Sequence, residues 1–318
     1  MVKVIFRQLS SALVTLFLST IIIFILIRLA PGDPVELLLG RPGDLPVTNT
    51  PAYEERVQEL RAELGLDQSY FEQYIHWLQR VLTLDLGTSI YSGRPVGTEI
   101  AEKIPATLLL SIAALVIQIL LGMLFGIMSA VKARKLQDST IRFICVLFAS
   151  FPAFVVGLTF LSFFAVKYHF YEISNDASFN RLWLPAITLG LVCAPQLIQV
   201  VRANMLSEFG QTYIVSALSR GLSRRLIIKH AFRNALLPIT TMIALSFATL
   251  IGGSIIIENI FSWPGIGNYA LNSILHHDYP VIQGYTVIMV LIVIVINTSL
   301  DIMYTLLNPQ IRQKGGEK

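Results

Sequence analysis

An all-α integral membrane protein with six transmembrane helices is predicted by three observations. Of 318 residues, 54% are hydrophobic and only 14% charged, against roughly 25% charged in an average soluble domain. Mean hydropathy is +0.66, so most of the apolar surface must be solvated by lipid. Six stretches free of Asp, Glu, Lys and Arg reach the length of about 20 residues that one helical crossing needs: Gln8–Ile27, Ile104–Val131, Phe143–Val166, Leu182–Val201, Asn234–Ile257 and Tyr279–Leu300. A closed barrel would show short alternating segments instead.

The first run follows Lys3 and Arg7. It is too long for a signal-peptide core, and Leu29-Ala30-Pro31-Gly32 is a poor cleavage site, so it reads as a retained helix. The 76-residue stretch Arg28–Lys103 carries seven basic and twelve acidic residues. Within it Tyr53–Leu64 reads as one helix, stopped by Gly65, and Asp67–Leu84 as another with Phe71, Ile75 and Leu78 on a shared face. This makes a structured acidic segment, either a lid that braces the helices or a docking surface.

Lys and Arg in short loops set orientation, because they are retained on the cytoplasmic side. Lys132–Arg142 carries four and Arg202–Arg233 six, whereas Lys167–Arg181 carries two and Glu258–Asp278 none. Both termini are therefore expected in the cytoplasm, with Arg28–Lys103 outside, since long loops translocate largely regardless of charge. The formal charge of +4 is spent in these loops, and no nucleic-acid partner is implied. Membrane lipid is. Cys145 and Cys193 lie in apolar runs and read as small core residues rather than a disulfide or zinc site.

None of the six runs contains Asp, Glu, Lys, Arg or His, the usual equipment of ion-driven carriers. There is no GxxxxGK[ST] loop for a nucleotide, no HExxH helix and no GxSxG nucleophile. The chain reads as a non-enzyme with no cofactor of its own, and a transporter of this kind must be powered from outside the membrane. Gln118, Pro152, Pro185, Gly190, Pro195, Gln196, Gln199, Gly252, Gly253 and Asn297 interrupt the apolar runs. Such positions either line a pathway or pack helices closely. Of these, Gln118, Pro152, Pro195, Gln196, Gln199, Gly252, Gly253 and Asn297 are taken as pathway candidates.

Between the fourth and fifth runs, Tyr213–Ser223 reads as a short helix and a turn. Gly221 is suited to a positive φ, and Ser223 to capping a second helix that ends near Pro238. Val215, Leu218 and Leu222 give the short helix an apolar side that needs a partner. The same loop could instead rest on anionic lipid.

This loop resembles the signature of the inner-membrane permeases of binding-protein-dependent ABC importers, which has the form EAA, three residues, Gly, then a downstream Leu-Pro. Val215-Ser216-Ala217 stands at the EAA position, followed by Gly221 and Leu237-Pro238. The first Glu and first Ala are replaced, and the distance to Leu-Pro is longer than in the sugar branch. Gly221-Leu222-Ser223 followed by His230-Ala231-Phe232-Arg233-Asn234-Ala235-Leu236-Leu237-Pro238 is similar to the peptide and nickel branch instead. So are Arg28-Leu29-Ala30-Pro31-Gly32-Asp33-Pro34, Leu64-Gly65-Leu66-Asp67-Gln68, Leu86-Gly87, Arg94-Pro95-Val96, Pro105-Ala106-Thr107-Leu108, Phe261-Ser262-Trp263-Pro264-Gly265-Ile266-Gly267 and Asp278-Tyr279-Pro280-Val281-Ile282-Gln283.

The resemblance implies a type I ABC importer permease fold, divided into a first helix with external segment (1–103), a five-helix core (104–308) with coupling loop 202–233, and a cytoplasmic tail (309–318). It implies the first of two homologous permease subunits, multi-pass in the cytoplasmic (inner) membrane. Two separate ATPase subunits would hold ATP and magnesium, and an extracytoplasmic solute-binding protein would deliver cargo. Ser216, Ala217, Arg220, Gly221, Leu222 and Ser223 would couple to the ATPase, with Gly221 as hinge.

For solute, Ile251–Phe261 and Leu206–Tyr213 look closer to nickel permeases, so nickel, as ion or chelate, is expected, with di- and oligopeptides as the alternative. His276 and His277, beside Asp278, are the candidate metal residues, because imidazole and carboxylate suit a divalent transition metal. A secondary carrier or passive channel is the alternative of another class.

Overall fold

The computed structural model describes residues 2–29, 35, 50–63 and 67–307. The stop at Gly65, the motif residues 30–34 and 64–66, and the tail 309–318 lie outside these. Every regular element among the described residues is helical: α1 (Val2–Leu29), α2 (Thr50–Glu63), α3 (Tyr70–Leu82), α4 (Val96–Val131), α5 (Leu136–Ser150), α6 (Ala153–Leu161), α7 (Phe179–Phe209), α8 (Thr212–Ser219), α9 (Arg224–Ile260), α10 (Ile266–Leu275) and α11 (Tyr279–Leu307).

Among the described residues five helices are long and apolar enough to cross a bilayer, in the ranges Ser10–Leu29, Val96–Val131, Phe179–Phe209, Arg224–Ile260 and Tyr279–Ser299. The sixth expected span is not one straight helix. Leu136–Ser150 and Ala153–Lys167 pass the same test together but meet at 95°. The break is a proline effect: the residue before a proline is driven out of the helical region, and Phe151 is extended at φ −90°, ψ 131°. The Ser150 hydroxyl folds back on the last turn and donates to the Val146 carbonyl. α6 then widens into a π-helical turn over Ser162–Lys167. Pro105, Pro185, Pro195 and Pro238 by contrast lie inside continuous helices, so α9 does not stop at Pro238 as the sequence suggested.

Compactness divides the chain into two units. One holds the described residues of Met1–Lys103 and Tyr269–Thr298, the other those of Ile104–Asn268 and Ser299–Lys314.

In the second unit α7 is the central element, with Leu184, Leu189, Leu197, Val201 and Met205 at most 2% exposed. α4 approaches it along a Gly122-xxx-Gly126 face. A Cβ on Gly122 would stand 2.5 Å from Leu197 Cδ2, and one on Gly126 2.6 Å from Val201 Cβ. Small residues at such spacing let membrane helices approach backbone to side chain. Gly122→Leu should therefore abolish stable assembly of the unit, read as loss of a monodisperse peak in detergent.

Candidate functional site

The turn after α8 can be built one hydrogen bond at a time. Gly221 has φ +77°. Its N–H donates to the Leu218 carbonyl at 2.9 Å, and the Leu222 N–H donates to the Ala217 carbonyl at 3.2 Å. This pair of bonds is a Schellman motif, which closes the last carbonyls of a helix and needs a left-handed residue where Gly221 stands. Nothing lies within 4 Å of the position a Cβ would take, so the demand for glycine is conformational.

Ser223 occupies the N-cap position of α9 with extended backbone, but its side chain makes no capping bond. The cap expected of it is absent because the hydroxyl is not turned onto the α9 amides.

The reversal at Gly221 sorts the apolar side chains. Ile214 is 2% exposed, and Leu222 packs with it against Ala130, Val201, Met205, Ile227 and Ala231. Val215 and Leu218 remain 57% and 58% exposed. Leu222 thus belongs to the seat of α8 and not to its open face, contrary to the grouping made from sequence. Ser216, Arg220, Gly221 and Ser223 are exposed and Ala217 half-buried.

Two arginines flanking α8 hold the same corner. Arg202 on α7 donates from Nε to Asp138 Oδ1 at 2.7 Å and from Nη2 to Oδ2 at 2.8 Å. Asp138 is 1% exposed and also accepts from the Ser129 hydroxyl and the Arg134 N–H. Arg224, opening α9, donates to the Val131 carbonyl at 3.0 Å, capping the C-terminus of α4 where a cation also meets the helix dipole. From sequence these charges counted only towards orientation. Breaking a buried pair costs about 3–5 kcal/mol because one charge is left alone. Arg202→Ala should lower the detergent unfolding midpoint sharply, and the double variant Asp138→Ala/Arg202→Ala should recover part of that loss.

The polar positions within the spans separate into two groups. Gln118 is 1% exposed and donates to the Cys193 carbonyl and Ser246 hydroxyl at 3.0 and 3.2 Å. Pro195 is buried as well. Gln196 and Gln199, three apart on α7, are exposed, as are Pro152, Gly252 and Asn297, with Gly253 half-buried.

One carboxyl group escaped the sequence reading. Glu258, in the last turn of α9, is 0% exposed. Its Oε1 accepts from Thr107 Oγ1 at 2.7 Å and Ser254 Oγ at 3.1 Å. Its Oε2 accepts from the N–H of Gly267 at 2.8 Å and of Asn268 at 3.1 Å, at the start of α10. The backbone carbonyl of Glu258 also accepts from the Trp263 N–H, and the Trp263 indole donates to the Ala106 carbonyl at 2.8 Å. The Phe261–Gly267 motif is therefore folded around this side chain. A Cβ on Gly265 would fall 2.3 Å from its carboxyl carbon, which is why that position is glycine.

His276 and His277 lie beside a carboxylate that is already engaged. Asp278, 1% exposed, accepts from the Ser89 hydroxyl and the N–H groups of Ile90 and Tyr91. The His276 ring stands 4.6 Å from that of Tyr91, with Nδ1 2.7 Å from the Asn272 carbonyl. Among the described residues no three His, Cys, Asp or Glu gather into a metal-holding group.

Among the described residues, five candidate spans and one bent pair, with a short exposed helix between two of the spans in chain order, have the form of a membrane permease. Residues 122–313 match the family described as binding-protein-dependent transport system inner membrane component, and residues 1–111 match its N-terminal companion family. The chain belongs to this family.

It is 34% identical over 315 residues to the glutathione transport system permease protein GsiC of Escherichia coli (strain K12), covering 99% of this chain and 100% of that protein. The GsiC protein of Shigella flexneri serotype 5b (strain 8401) matches to the same extent. Among solved structures, the inward-facing MetNI methionine ABC transporter aligns with TM-score 0.56 at 16% identity, covering 66% of this chain and 96% of that chain; it supports the fold. The chain is thus a multi-pass inner-membrane permease component of an ABC importer and not a catalytic one, ATP hydrolysis belonging to a separate subunit. The preference for nickel finds no support among these relatives.

Proposed function

We propose that the chain forms half of a translocation pathway for short peptides or peptide-like solutes such as glutathione. A homologous second permease supplies the other half, two ATPase subunits carrying ATP and magnesium drive it, and an extracytoplasmic binding protein delivers the solute. The carrying observation is the full-length similarity to permeases named for glutathione. Glutathione is itself a peptide, so the similarity favours the peptide alternative over nickel. Both termini face the cytoplasm in this reading, which puts α8 on the side where ATP is available.

The open face of Val215 and Leu218, on a helix whose other side is anchored in the core, is the docking surface for an ATPase. Gln196 and Gln199, exposed on the most buried of the five candidate spans, face the pathway or the second permease, because amide side chains are costly against lipid.

Calorimetry on the partner binding protein with glutathione, a dipeptide panel and a nickel salt tests the solute. Binding of glutathione or peptides is expected. Nickel binding with no peptide binding would overturn the assignment.

A further inference from the structure

α3 is amphipathic along its whole length. Tyr70, Phe71, Tyr74, Ile75, Trp77, Leu78, Val81 and Leu82 fall on one broad arc, and Glu72, His76, Gln79 and Arg80 on the other. It starts on its own capping box, in which Ser69 Oγ accepts from the Glu72 N–H while the Ser69 N–H donates to the Glu72 carboxylate at 3.0 Å.

Its partner within the first unit is α1. Tyr74 and Trp77 stand 5.4 and 6.1 Å from the Phe24 ring, and the Tyr74 hydroxyl is 3.0 Å from Thr20 Oγ1. Arg28 lies over the same Phe24 ring, 5.4 Å from its centre.

The depth of that contact is fixed by charge. Arg7 and Arg28 bracket α1's apolar run, and the 20 residues between them span about 30 Å at 1.5 Å per residue, the thickness of the hydrocarbon core. The run has no spare length, so Ile27 lies at the core boundary. Phe24 is then about 5 Å below it and Thr20 about 10 Å below it. A helix that touches both cannot stand in water above the membrane. About 5–10 Å is the depth at which amphipathic interfacial helices settle, and Tyr and Trp are the residues that collect there. On the flank of α3 away from α1, Phe71 and Leu82 are 74% and 73% exposed, and Ile22, Ile25 and Leu26 of α1 are exposed too, so both helices offer apolar surface.

We propose that α3 is a membrane-surface helix whose partner is the lipid bilayer. Its Phe71, Ile75, Leu78 and Leu82 stripe lies among acyl chains, and its Glu72, His76, Gln79 and Arg80 face lies among headgroups. That the leaflet is the outer one rests on the proposed orientation; the membrane seat does not. The acidic segment is thereby pinned to the bilayer surface instead of hanging free as a lid.

The test is collision accessibility of nitroxide labels at Phe71→Cys, Leu82→Cys, Glu72→Cys and Gln79→Cys. The full complex is reconstituted in vesicles, with Cys145 and Cys193 replaced by alanine. Labels at 71 and 82 should collide several-fold more with oxygen than with chromium oxalate, and labels at 72 and 79 the reverse. Equal access of chromium oxalate to all four would return α3 to water and overturn the proposal. Shielding of 71 and 82 from both probes would place protein on that face and overturn it equally. Chromium oxalate reaching 72 and 79 only after permeabilisation would sink the outer-leaflet assignment and leave the membrane seat standing.

Discussion

Uptake by a complex carrying Gly221→Val should fall roughly tenfold while its membrane insertion and ATPase activity persist. The reasoning is conformational. Gly221 sits at φ +77° with nothing within 4 Å of a would-be Cβ. An L-residue held left-handed costs about 1–2 kcal/mol, more when β-branched, and about 1.4 kcal/mol is a tenfold change in population. A valine therefore opens the Schellman turn without meeting any neighbour. What is lost is the angle at which α8 leaves the turn, and with it the seating of Ile214 and Leu222 that keeps Val215 and Leu218 outward.

Asparagine tolerates the left-handed region, so Gly221→Asn should retain most uptake. Paired measurement of ATP hydrolysis and solute accumulation in proteoliposomes separates the outcomes. Normal accumulation by the valine variant at normal expression would remove Gly221 from the coupling machinery. Equal damage from valine and asparagine would say that any side chain there is harmful, and the backbone argument would fail.

How far the site was legible depends on what kind of signal each residue leaves. Gly221 was readable because a glycine between an apolar short helix and a Ser-Arg-Arg start has few other uses, and the structure gives it the positive φ that its place requires. The direction of Leu222 was not readable, since the turn that rotates it inward is a tertiary fact carried by two backbone hydrogen bonds. Charge-free runs mark the five candidate spans and the bent pair, yet the 95° bend at Phe151–Pro152 leaves no such signal: a proline in a run marks a break but not its angle, and Pro185, Pro195 and Pro238 lie inside continuous helices.

The same criterion hid Glu258 by construction. A search for stretches without acidic residues ends one position before it, so the residue was counted as the start of a loop. The signal available was the Gly265-Ile266-Gly267 spacing downstream, which supplies free amides at a helix start and room for a carboxyl group against them. Asp138 and Arg202 failed for a related reason. Sixty-four residues separate them, and one-dimensional counting saw two loop charges where the fold makes a bidentate pair.

Glu258→Ala is expected to do more damage than any other single substitution outside the helix contacts. The carboxyl group gathers four donors from three separate stretches: Thr107 on α4, Ser254 one turn earlier on α9, and the amides of Gly267 and Asn268 opening α10. At 0% exposure no water replaces it. Each orphaned buried donor costs about 1–3 kcal/mol, so three donors without alternatives cost about 3–9 kcal/mol, comparable with the lower part of the margin of about 5–15 kcal/mol by which a typical domain is stable. Ser254 is partly insured, because its hydroxyl also reaches the Ile251 carbonyl at 2.8 Å.

Glu258→Gln should be far milder. Its amide oxygen can still accept from Gly267 and Asn268, and its NH2 group can turn to the Thr107 and Ser254 oxygens. The measurement is the unfolding midpoint and yield of the complex in detergent, with proteolysis across Phe261–Gly267 as a local readout. A large drop for alanine with near-normal glutamine would identify the hydrogen-bond geometry as the stabilising element. Equal loss in both would mean that a full negative charge at the α10 N-terminus is what the fold needs. An alanine variant as stable as the parent would show that the Phe261–Gly267 loop is held by Trp263 and its bond to Ala106, and the carboxyl group would lose the organising role assigned to it.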